Sequence, residues 1–257
     1  MRTIAALFVC TASMCAQDPF EIHVYEYEPL PRGEFTYEAH MNCVARGSTS
    51  DGGAVAATNH QFHFASELTA GITDWFRGAA VLLTAVRPDH SLDYAGFRVL
   101  PHFYAPASWH LPLNLGLVAE FSFQREIYEE NSRVVELRPI IEKHLGRLEL
   151  DANPVFARAL RGPARRDGWS FEPSGRIGWR MSKALTPSVE YYSSWGSIQK
   201  LPPTDDQIHQ IFPGVDVRFG EHLTWNLGVG IGITSTGSSL ILKSRFEIPF
   251  GRPHVHN

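Results

Sequence analysis

Residues 111–123 read LPLNLGLVAEFSF, and the stretch sorts by parity: Leu111, Leu113, Leu115, Leu117, Ala119, Phe121 and Phe123 share one face. The other parity carries Pro112, Asn114, Gly116, Val118, Glu120, Ser122 and Gln124. Side chains alternate across a β-strand, so the stretch fits a strand; a helix would mix Leu111, Asn114 and Glu120 on overlapping faces. The pattern recurs. In LTWNLGVGIGIT, Leu223, Trp225, Leu227, Val229, Ile231 and Ile233 oppose Thr224, Asn226, Gly228, Gly230, Gly232 and Thr234. Residues 169–181 and 240–250 alternate in the same way. Repeated alternation of this kind constrains the chain to a sheet with one greasy and one polar face.

Marking every such run gives about twelve strands, at 34–46, 59–72, 75–87, 93–105, 111–124, 133–144, 148–160, 169–181, 186–196, 207–219, 223–234 and 240–250. Each is near the roughly 9–11 residues that cross a bilayer at a tilt. The third, WFRGAAVLLTAVR, is apolar on both faces. The connections alternate between long polar loops (GSTSDGGAVAAT, REIYEENS, RGPARRDG) and mostly short turns (TD, LGR, SKAL, GEH). Long loops on one side and tight turns on the other is the pattern of outer-membrane barrels. The expected fold is therefore all-β: a 12-stranded antiparallel up-and-down transmembrane β-barrel, with ten to fourteen strands allowed by the ambiguous runs. A soluble barrel turning its apolar face inward is the competing fold. Pro101, Pro139, Pro154, Pro173, Pro187 and Pro213 fall inside these strands, where proline removes a ladder donor; a ring of bulges would accommodate them.

The opening MRTIAALFVCTASMCAQ has the short basic start, apolar centre and small residues of a cleaved secretory signal peptide over 1–16. Residues 17–33 (containing EIHVYEYEPLPRG) are expected as a periplasmic N-terminal extension, with a lumen plug as the other arrangement. Residues 34–250 form the barrel and 251–257 a C-terminal tail. Cleavage leaves Cys43 alone, so no intramolecular disulfide forms. A net charge of −4 with mixed signs gives no case for nucleic acid. Trp75, Trp109, Trp179 and Trp225 fall beside short turns, and Trp169 and Trp195 toward long loops. Amphipathic indoles favour the bilayer interfaces, so these six are expected to form aromatic girdles.

The closing LILKSRFEIPF, ending in Phe250, resembles the C-terminal strand by which outer-membrane proteins are handed to the barrel-assembly machinery, although GRPHVHN follows it. From residue 17 onward the chain resembles small bacterial outer-membrane β-barrel proteins. ELTAGITDWF, DYAGFRVLPHF and ELRPIIEKHLGRLELDANPVFARALRG are most similar to barrels loosely grouped with transporters of aromatic-degradation clusters. The resemblance implies a bacterial outer-membrane location and no particular substrate.

The densest inward-facing polar group is Glu120, Glu136, Arg138, Glu142, Asp151, Arg176 and Arg180, with Glu149, Asn153 and Glu172 beside them. It reads either as a constriction selecting small polar solutes by charge or as a packed ion-pair network. Glu38, His40, Lys243 and Arg245 would meet where the last strand closes on the first. The expected function is a narrow, charge-lined channel or transporter, working as a monomer against outer-membrane lipids. A closed structural or interaction barrel comes second and an outer-membrane lipid hydrolase third. The parity of His63 and Ser66 separates that pair, and His90–Ser91 beside Asp89 is only adjacency, so no catalytic residue is expected. Neither a metal nor another cofactor is expected; His254 and His256 in the tail are a weak metal signal.

Overall fold

A computed structural model describes residues 18–251 apart from residue 90. The expected signal peptide, His90 and the tail histidines lie outside the described residues. The described chain forms β1 (Glu34–Arg46), β2 (Phe62–Thr73), β3 (Phe76–Val86), β4 (Leu92–Tyr104), β5 (Asn114–Gln124), β6 (Arg133–Leu145) and β7 (Leu148–Asn153). It continues through β8 (Phe156–Arg161), β9 (Ser170–Phe171), β10 (Ser174–Trp179), β11 (Leu185–Ser194), β12 (Ile208–Arg218), β13 (Thr224–Gly232) and β14 (Leu240–Gly251). β7 and β8 are two halves of one stave, pairing with opposite ends of β6, and β9 and β10 are two halves of the next. The result is a closed 12-stranded antiparallel barrel, sealed by β1 against β14.

Exposure along the strands decides which face looks where. Glu67 is 2% exposed and its neighbour Leu68 50%; Arg98 is 3% exposed and Val99 46%. The apolar parity faces out on strand after strand, and the charged parity is buried inside, the reverse of a soluble barrel. No helix among the described residues is long and apolar enough to cross a membrane; the spanning elements here are strands.

The prolines are accommodated without bulges. The β4–β5 ladder skips Leu100 and Pro101, and the β12–β13 ladder skips Phe212 and Pro213, each resuming in unchanged register. β6 skips Arg138, Pro139 and Ile140 between β8 and β7, again in register. Proline lacks the N–H, so a rung is lost, but nothing is inserted that would shift the partner. At Pro139 a side chain takes up the carbonyl, Asn153 Nδ2 donating to it at 3.2 Å, while Pro173 O keeps its in-register donor, Ser193 N, at 3.1 Å. Pro154 and Pro173 interrupt their staves, and Pro187 keeps its place opposite Val215.

Candidate functional site

Residues 18–33, expected as a periplasmic extension, run inside the barrel instead. A turn makes this possible: Glu34 N donates to Pro31 O at 3.1 Å, with Gly33 at φ +83°, a conformation glycine adopts at no steric cost. Just before it the chain grazes Gly71, where a Cβ would lie 2.1 Å from Pro31 O. From this short-turn rim the segment climbs until Phe20 meets His63 and Tyr128 near the long-loop rim, edge-on at centroid distances of 4.7 and 5.8 Å. Phe20, Ile22, Val24 and Tyr25 are buried.

Two apolar patches of the inner wall receive it. Phe20 and Tyr25 cluster with Ala65, Val81, Leu83 and Leu100, while Ile22 and Val24 cluster with Tyr192, Phe212 and Ile241. This explains β3, whose inner face is apolar because a peptide covers it. Polar contacts are made mainly through wall side chains, and the segment joins no ladder. Asn153 acts as a one-residue strand: Tyr25 N donates to its Oδ1 at 2.7 Å, and its Nδ2 donates to Tyr25 O at 3.0 Å. Tyr27 N donates to Glu142 Oε2 at 2.9 Å, Arg77 Nη1 to Glu28 O at 2.8 Å, and Asn42 Nδ2 to Pro19 O at 2.9 Å.

The seven expected lumen residues divide between separate places. Arg138 pairs with Glu136 at 2.9 Å and approaches Glu120 at 3.8 Å; Glu120 also holds Arg98 at 3.1 Å, and Arg98 reaches Glu21 at 3.1 Å and Asp18. Arg176 gathers Asp216 at 2.6 Å, Asp151 at 3.1 Å, Glu149 at 3.3 Å and Glu26 of the inner segment at 3.3 Å. Glu142 serves Tyr27 N and Asn114. Arg180, partly exposed at the short-turn rim, adjoins the Arg176 cluster through Glu149, at 3.1 Å, and donates to Gly146 O. Arg138 also lies over the Tyr25 ring, 4.7 Å from its centroid. Asn153 was expected beside this group, whereas Arg98, Asp216 and the inner segment's own acids were missing from it. The available signals were the doubly apolar β3 and a long acidic prelude with alternating Ile22 and Val24.

At the seam, Arg245 pairs with Glu38 at 2.9 Å and His40 lies 3.6 Å from the same carboxylate. Lys243 instead crosses to Glu190 on β11. The six tryptophans all lie near strand ends: Trp75, Trp109, Trp179 and Trp195 are exposed, while Trp169 and Trp225 are half-buried. Among the candidate hydrolytic pairs, His63 is buried inside and Ser66 faces outward, and Ser91 Oγ donates to Asp89 Oδ1 at 2.8 Å.

A water-filled bore would wet its lining. Here Arg98, Glu120, Arg176 and Glu190 are each at most 3% exposed and Asn153 is fully buried. The lumen in this conformation is closed by the inner segment.

A closed antiparallel barrel with a lipid-compatible exterior and a charged interior is the architecture of bacterial outer-membrane β-barrel channels, and solved structures of that class share it. An outer-membrane channel from Pseudomonas putida F1 superposes with a TM-score of 0.60 at 12% identity, covering 90% of this chain and 100% of that one. The NanC porin gives 0.54 at 5% identity over 85% and 99%. The KdgM porin, in complex with disordered oligogalacturonate, gives 0.50 at 10% over 84% and 99%. At these identities the likeness is one of fold. No protein-family model and no curated protein sequence matches the chain.

Proposed function

We propose that this protein is a monomeric bacterial outer-membrane channel for small polar solutes, closed at rest by its own N-terminal segment. Lipid covers the apolar belt, and the barrel-assembly machinery inserts the chain. One observation carries the reading: residues 18–31 fill a lumen whose wall is itself charged, and side chains rather than a β-ladder hold them there. A contact of that kind opens without unzipping the barrel. The solute then passes a wall where acids outnumber bases, so conductance weakly favours cations.

The test is planar-bilayer conductance of the refolded full chain against a variant lacking residues 18–31. The full chain is expected to be mostly silent with rare steps, and the deletion to give sustained steps. A second reading, a permanently closed barrel that works through its long loops, draws on the deep burial of the lumen charges. A deletion variant that is folded and silent would favour it and refute the gate.

A further inference from the structure

Where β1 and β2 meet the inner segment, three carboxylates converge. Glu38 stands directly opposite Glu67 on β2 and opposite Glu247 on β14, a row of like charges across three neighbouring strands. Such pairs repel, and more so out of water. Arg245 answers Glu38 at 2.9 Å and Glu247 at 3.6 Å. Glu67, 2% exposed, accepts a hydrogen bond from Thr69 Oγ1 at 2.7 Å and takes part in no salt bridge among the described residues. Into this space the inner segment brings another acid, Glu21, already bonded by Arg98 and by the Tyr25 hydroxyl.

We infer that Glu21, His40 and Glu67 form a site for a divalent transition-metal cation of the zinc type, which ties the inner segment to the wall. One ligand atom from each of the three lies within 4.8 Å of the others, and all three residues are buried. A tetrahedral ion with bonds of 2.0–2.2 Å brings its ligand atoms to about 3.4 Å apart, within reach of small side-chain rotations. A second observation points the same way. The Nε2 atom of His23 is buried without a hydrogen-bond partner, that of His40 makes no hydrogen bond although Glu38 lies 3.6 Å away, and the two rings stand 6.0 Å apart. An imidazole with two carboxylates suits zinc or manganese better than calcium or magnesium, which prefer all-oxygen sets. The ion would supply the positive charge that Glu67 lacks, and only while the segment is docked, since Glu21 leaves with it. The site rests on the segment's position in the lumen and deepens the gate reading.

The experiment is equilibrium dialysis of the refolded full chain against Zn²⁺, with His254 and His256 both changed to Ala to remove a competing tail site. The expected result is one bound equivalent, weakened tenfold or more by His40→Gln and by Glu67→Gln, each checked for heat-modifiable migration as a folded barrel. Absence of stoichiometric zinc, or equal affinity in both variants, overturns the inference. Zinc-edge absorption on the protein with intact wall residues is the second measurement: one or two imidazoles among nitrogen and oxygen ligands support the site, and a shell without imidazole overturns it. Binding is read independently of conductance. A silent deletion variant would therefore sink the gate while leaving the zinc result standing, and the reverse holds equally.

Discussion

Asn153 is the most economical place to unlatch the lumen. Its amide satisfies both backbone groups of Tyr25, at 2.7 and 3.0 Å, and also donates to Pro139 O at 3.2 Å. The residue is completely buried, so water cannot replace these bonds while the segment is docked. Asn153→Leu keeps a similar volume and leaves the Tyr25 N–H and C=O unsatisfied in the docked state alone, because an undocked segment is hydrated. Each buried unsatisfied group costs about 1–3 kcal/mol, so the docking equilibrium shifts by about 2–6 kcal/mol. At 1.4 kcal/mol per decade this raises the undocked fraction by a factor of about 30 to 10⁴. Single-channel open probability reads it directly, and protease cleavage within residues 18–31 reads it independently. Asn153→Asp, which keeps the acceptor and loses the donor, is expected to fall between the two. If Asn153→Leu is folded and matches the parent in both assays, while the deletion variant conducts, the amide is no latch and the reasoning fails.

Gly71→Val is expected to push the chain off the wall at Pro31, since even a Cβ would lie 2.1 Å from its carbonyl; increased cleavage of the inner segment without loss of the barrel checks it. Arg176→Gln leaves Asp216 and Asp151 buried without their cation, while Glu149 keeps Arg180, and is expected to cost about 3–5 kcal/mol of barrel stability in urea titration. Charge reversal at Arg138 or Arg176 in the deletion variant is expected to strengthen cation preference in reversal-potential measurements, and unchanged selectivity would place the constriction elsewhere. In the loop at 125–132, burial pushes the Glu129 carboxyl up to about 7. Its unfolded value is about 4.3, so the proton held by the folded loop stabilises it fully below that pH, and the contribution is lost as pH rises through about 7. Protease sensitivity of the loop is therefore expected to rise between about pH 5 and pH 8, and Glu129→Gln to abolish the rise.

The barrel wall was legible because membrane strands obey one rule. Lipid outside and charge inside impose strict parity, so β1 spans Glu34–Arg46 as the alternation places it. The prolines misled only in mechanism: a missing donor deletes a rung but gives the partner no reason to slip, as the unchanged β4–β5 register across Pro101 illustrates. The inner segment was not legible in the same way. Residues 20–28 alternate too, but a peptide enclosed by wall on every side has no solvent face to mark its partner. Its position follows from scattered matches such as Asn153 with Tyr25 and Arg98 with Glu21, 128 and 77 residues apart. Arg138 and Arg176 share the inward face but fall in different ion-pair clusters, since parity gives the face of a side chain but not its height or its neighbour across the lumen.

The wall's electrostatics bear on whether closure is permanent. Were the inner segment structural, its acids would be needed to neutralise the wall, and removing it would strand buried cations at a cost of several kcal/mol each. The pairing runs otherwise. Without Glu26, Arg176 keeps Glu149, Asp151 and Asp216, all from the wall. Without Asp18 and Glu21, Arg98 keeps Glu120, and Arg138 keeps Glu136. The departing acids move into water, which solvates them better than the lumen does. Losing the segment therefore leaves these wall cations paired. The docked state is held mainly by what the segment itself gains: the burial of Phe20, Ile22 and Val24, and the backbone bonds of Tyr25 and Tyr27. If the inner segment is the gate proposed above, substitutions that weaken docking are expected to raise conductance without stripping Arg98, Arg138 or Arg176 of their wall partners.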